Sequence, residues 1–133
     1  MITEDYVSFE TSKLLTDKGF DKPCSAYWFH MIDTEPIFND NMPRQVYNNK
    51  SDTIEIIGCP TIQMACKWLR VRHNLNVEVY RTACGYIGCI VAIPSGTDIK
   101  FLEEDGDDLP SGQYTKWEYT CEAAIKYCLE NLI

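Results

Sequence analysis

Apolar positions recur at helical spacing in three stretches of the chain and at strand spacing between them. The organising stretch runs from Cys59 to Asn74. Pro60 has no backbone N–H to leave unsatisfied and suits a helix entry, and Thr61 is a fitting N-cap. At about 100° per residue, Ile62, Cys66, Leu69 and His73 share one stripe, while Met64, Trp68 and Val71 form a second, roughly opposite. Two stripes predict burial on both sides, or one side against the sheet and the other against a partner, with the Trp and Met positions read first as core. Asn74 suits the left-handed position that ends a helix.

Ser8 predicts the cap of an earlier helix that runs to about Lys18, with Val7, Thr11, Leu14 and Leu15 on one side. Gly19 ends it, and Phe20 is placed to fold back on its last turn. Cys24 to Met31 reads as an aromatic-rich strand. Residues 33–52 are crowded with turn formers, and Ile37-Phe38 and Gln45-Val46-Tyr47 are short strands within them. Residues 53–57 form a strand that leads into the central helix. After it, residues 75–81 alternate as a half-buried strand does, Thr82 to Gly85 turn, and residues 86–93 form a second strand that Gly88 interrupts at a bulge. A third strand spans residues 99–102. The last helix opens on Thr115-Lys116-Trp117-Glu118, a capping box flanked by Tyr114 and Tyr119, with Cys121, Ala124, Ile125, Cys128 and Leu132 on one stripe. Lys13-Leu14-Leu15 and Lys67-Trp68-Leu69 echo one another, as chance similarity between amphipathic helices also would.

The order implies an α+β fold with three helices packed on a mainly antiparallel sheet. A length of 133 residues implies a single domain, with an irregular loop or hairpin insertion at about 33–52. The 45% apolar fraction is that of a globular chain, and no run approaches the ~20 residues of a membrane span. The acidic start Met1-Ile2-Thr3-Glu4-Asp5 has no signal-peptide pattern, so the expected location is cytoplasmic and no membrane is involved. A net charge of −8 argues against direct nucleic-acid binding. Seven cysteines in such a setting read as reduced thiols packed as small hydrophobes.

Candidate chemistry is sparse. Cysteine and histidine spacings match no zinc pattern, so neither a metal nor a cofactor is expected. A Cys84/His30 or Cys89/His73 dyad is open on residue type alone, yet His73 reads more simply as a cation at a helix C-terminus. Residues 103–108 form an acidic turn without the EF-hand alternation. Gly85-Tyr86-Ile87-Gly88 opens no helix and is no phosphate loop. Tyr27, Trp28 and Phe29 are consecutive in one strand and must place aromatics on both faces of a sheet. With Trp68 they make up the expected interaction surface.

The runs Glu4 to Thr11, Lys18 to Asp21, Pro60 to Ala65, Lys67 to Arg70 and Cys121 to Leu129 resemble a group of small proteins of Bacteroides-type gut bacteria and their prophages. The resemblance covers the helices well and the middle of the chain poorly. It implies a setting, as mobile-element cargo in a bacterial cytoplasm, and no mechanism. The expectation is a non-enzymatic interaction or regulatory protein that binds a protein partner or itself. Two alternatives stand beside it: an acidic decoy of nucleic acid acting on a host protein, and a small enzyme or ligand binder built around Cys84, Cys89 or His30.

Overall fold

The computed structural model describes residues 3–40, 48–83, 85–102 and 116–133. The elements in order are α1 (Phe9–Asp17), β1 (Tyr27–Met31), β2 (Ile37–Asn39), β3 (Asn49–Lys50), β4 (Ile54–Gly58), α2 (Ile62–His73), β5 (Leu75–Thr82), β6 (Gly85–Ala92), β7 (Asp98–Leu102) and α3 (Trp117–Asn131). The class is α+β, and every pairing is antiparallel. The strands divide between two sheets, β2-β1-β4-β3 and β5-β6-β7. The chain likewise forms two compact units, residues 1–61 and 62–133. The expected strand at 45–47 lies outside the described residues.

In the first unit, α1 carries the local signals read from its sequence. The Ser8 side chain accepts from the Thr11 backbone N–H at 3.2 Å. At the other end, Gly19 adopts φ +100°, its N–H donates to the Thr16 carbonyl, and the Phe20 N–H reaches back to Leu15 at 2.9 Å. These paired bonds satisfy carbonyls that the helix leaves free, and they turn Phe20 into the core. Thr11, Ser12 and Leu15 are the buried face. The Ser12 hydroxyl is buried with no hydrogen-bond partner among the described residues. A buried, unpaired hydroxyl costs stability, so Ser12→Ala should gain about 1 kcal/mol in denaturant unfolding.

In the second unit, α2 spans the predicted residues and ends at Asn74 with φ +56°. Its two-stripe reading needs correction. Ile62, Ala65, Cys66, Trp68 and Leu69 are buried, but Met64 is 42% and Val71 75% exposed. The helix buries one broad arc, and Trp68 reaches it from the edge because its side chain is long. α3 buries Thr120, Cys121, Ala124, Ile125, Cys128 and Leu129 against the β5-β6-β7 sheet. Leu132 is its C-cap and not part of the buried stripe. Lys116 holds the N-cap position with no side-chain cap bond, whereas Thr115 and Tyr114 of the expected capping box lie outside the described residues. The register shift in β6 falls at Ile90/Val91 and not at Gly88. Gly88 instead makes room for α3: a Cβ there would lie 3.3 Å from Thr120 Cγ2.

Candidate protein-interaction face

Register sorts the side chains of the first sheet. Trp28 stands opposite Phe38 and Ile57, and His30 opposite Glu55. Residues directly opposite across a ladder share a face. The Phe9 ring of α1 lies 6.0 Å from Trp28 and 5.0 Å from His30, so this is the face the helix covers. Phe38 packs 5.2 Å from both Trp28 and Tyr6. The Val7 carbonyl accepts from Trp28 Nε1 at 3.4 Å and from the Cys59 thiol at 3.2 Å.

The other face carries Tyr27, Phe29 and Met31 of β1, Ile37 opposite Phe29, and Ile54 and Ile56 opposite Met31 and Phe29. Among the described residues, α1 is the only helix of this unit, and it lies on the far side. Exposure rises toward the end bearing the β1–β2 and β3–β4 turns: Met31 is 45%, Ile37 58% and Ile54 36% exposed, with Ile32 in the turn at 58%. A lone exposed isoleucine is ordinary; four large apolar groups at one end of one sheet are not.

Local hydrogen bonds hold that end in shape. Asp33 adopts φ +63°, tolerable for an Asp in a tight turn, and Thr34 closes the turn with Oγ1 donating to the Met31 carbonyl at 2.8 Å. Ser51 N–H donates to the Ile54 carbonyl at 2.8 Å, and Ile32 N–H to Thr53 at 3.1 Å, tying the two turns together. Exposed Asp33, Glu35 and Asp52 sit in these turns, residues 32–36 and 51–53, which contain no cation. The Lys50 position pairs with Glu55, on the α1 side of the sheet.

Of the expected surface residues, Tyr27 and Phe29 lie on this face but are half-buried, Trp28 lies under α1, and Trp68 is buried at 8% exposure with His73 edge-on at 4.7 Å. The structure adds Met31, Ile32, Ile37 and Ile54. The alternation of β1 hinted at the first of these; the others fall at the edges of a stretch that reads as irregular.

The residues considered for catalysis are placed as follows. His30 Nδ1 and Lys13 Nζ both face Glu55 Oε2 at 3.6 Å. Lys13 and Glu55 line a cavity of about 220 Å³ with Thr16, Asn48 and Ile57. Cys84 and the acidic run 103–108 lie outside the described residues. Cys89 is fully buried in β6, 3.6 Å from Asp98 Oδ1, and burial pushes its thiol up. A nucleophilic cysteine requires the opposite shift. Tyr80, hydrogen-bonded to Cys89, is pushed up to about 12, chiefly by that bond. His73 Nε2 is buried without a hydrogen-bond partner among the described residues, and burial followed by the nearby Arg72 charge pushes the imidazole below its usual range. A neutral ring at pH 7 replaces the helix-end cation that the sequence implied.

Among the described residues, no group of three His, Cys, Asp or Glu side chains is arranged to hold a metal ion, and no helix is long and apolar enough to cross a membrane. No protein-family model, curated protein or solved structure matches the chain.

Proposed function

We propose that the chain is a non-enzymatic protein-interaction module that docks a basic segment of another protein on the open face of its first sheet. The observation that carries this reading is the exposed group Met31, Ile32, Ile37 and Ile54 beside Asp33, Glu35 and Asp52. An apolar centre with a charged rim is the common anatomy of an interface. Among the described residues of the two turns, the rim bears one sign. A second copy would bring carboxylate against carboxylate, and a nucleic-acid or anionic membrane surface would be repelled in the same way. The occupant that fits is a protein segment with apolar anchors flanked by Lys or Arg. In keeping with the family resemblance, its setting is a bacterial cytoplasm and the gene is mobile-element cargo.

The test is a titration with an amphipathic Leu–Lys helical peptide, a Leu–Glu peptide of the same pattern serving as control, followed by an amide-exchange footprint. The Lys peptide is expected to bind, to weaken with added salt, and to protect the β1–β2 and β3–β4 turns. Ile37→Asp should weaken binding about tenfold, ~1.4 kcal/mol, while changing stability by under ~0.5 kcal/mol because Ile37 is exposed. Equal binding to Ile37→Asp, equal binding of the Glu peptide, or a dimer in sedimentation whose footprint falls on this face overturns the proposal.

A further inference from the structure

The helices of the second unit hold two thiols that the interaction face leaves unused. Cys66 of α2 and Cys121 of α3 are 55 positions apart in the chain, yet their Sγ atoms lie 3.5 Å apart. Cys121 is 2% exposed and Cys66 7%, so Cys66 is the more open of the two. A disulfide requires ~2.05 Å between sulfurs, so only about 1.5 Å of closure separates this contact from a bond. We propose that Cys66 and Cys121 are a modification site: a cross-helix dithiol that closes to a disulfide when a hydroperoxide oxidises it.

The step balances with hydrogen peroxide as the electron acceptor. The Cys66 thiolate attacks one peroxide oxygen; an S–O bond forms, the O–O bond breaks, and the departing hydroxide takes up a proton and leaves as water. Cys121 sulfur then attacks Cys66 sulfur; the S–S bond forms, the S–O bond breaks, and the released hydroxide leaves as a second water with the Cys121 proton. Two thiols give up two electrons and two protons, and peroxide is reduced to two waters.

The surroundings divide the roles. The Cys66 and Cys121 thiols share a hydrogen bond that either can donate, and Arg70 stands one helical turn further along α2. That hydrogen bond first, and the guanidinium after it, hold the Cys66 thiol below its usual range against the opposing effect of burial. Cys121 is pushed up by the same hydrogen bond and then by burial. The thiolate is the reactive form, so Cys66 attacks and Cys121 resolves. Cys128, on the same α3 stripe, is pushed up to about 12 by burial and stays a protonated neighbour. The narrow exposure at Cys66 favours a small oxidant over a bulky disulfide.

The test treats the full chain with hydrogen peroxide, alkylates the remaining thiols after unfolding, and maps the digest by mass spectrometry without reductant. The expected product is one peptide pair joined through Cys66 and Cys121, with two thiols lost per chain and both recovered on adding dithiothreitol. Cys128→Ser should retain this product, and Cys66→Ser should abolish it. In Cys121→Ala, which removes the hydrogen bond that holds the Cys66 thiol down, the first step should be slower than in the intact chain and should stop at a Cys66 sulfenic acid, captured by dimedone, which keeps the test informative if the serine variant folds poorly. Oxidation that begins at another cysteine, or irreversible Cys66 oxidation in the intact chain without the pair, overturns the assignment.

Discussion

Trp28→Ala is expected to destabilise the first unit by about 3 kcal/mol, the low end for a buried Trp because the indole is only partly enclosed. Three losses combine. The ring meets Phe9 in a T-shaped contact at 6.0 Å and Phe38 at 5.2 Å, and pairs of this kind contribute beyond the area they bury. Its Nε1–H donates to the Val7 carbonyl, which keeps the segment before α1 against the sheet. Truncation also leaves a space between α1 and β1 that neighbouring strands fill only in part. Trp28→Phe keeps most of the ring packing and should cost about 1 kcal/mol, near the value of one hydrogen bond. Denaturant unfolding followed by circular dichroism, with amide exchange in β1 and β4, measures both. A loss below ~1 kcal/mol for the alanine variant would mean that the aromatic cluster does not hold the sheet to α1.

Gly88→Leu should destabilise the second unit by about 3 kcal/mol, the upper range of overpacking. The first carbon of any side chain there already lies 3.3 Å from Thr120 Cγ2 and 3.6 Å from Leu102 Cβ. Thr120 is fully buried and β-branched, and its hydroxyl donates to the Lys116 carbonyl at 3.2 Å, so it cannot swing aside without loss. A leucine would force α3 away from β6. Gly88→Ala needs only a few tenths of an ångström and should stay within ~1 kcal/mol. Thr120→Ala opens the space, so the double variant Gly88→Ala/Thr120→Ala should be more stable than the sum of its parts. The measurement is a double-mutant cycle on unfolding midpoints; strict additivity would contradict the contact.

Local signals were legible and long-range ones were not. Ser8, Gly19, Phe20 and Asn74 mark helix ends by backbone chemistry that acts within a few residues, and each does what its residue type implies. Periodicity located α2, but it reports only the angular positions of apolar side chains. Whether a neighbour covers them is a tertiary fact, which is why Met64 and Val71 point outward while Trp68 is buried. The division into two sheets depends on β1 pairing with β4, across the irregular stretch, and nothing in either strand specifies that choice. Three consecutive aromatics in β1 imply rings on both faces, but alternation alone does not say which of them α1 covers; the register puts Trp28 under the helix and leaves Tyr27 and Phe29 on the other face. Their companions Met31, Ile37 and Ile54 required the register, and the Cys66–Cys121 approach required the packing of α2 on α3.

The bonding around residues 6–7 and 60–61 has one more implication. Tyr6 bridges Thr61, and Val7 N–H donates to Pro60 at 3.2 Å, so the polypeptide enters and leaves the first unit side by side. A module with adjoining entry and exit can be spliced into a surface loop of a host protein without prising the loop ends apart. Residues 4–61 are thus suited to transplantation as a cassette that carries its acidic-rimmed sheet face with it.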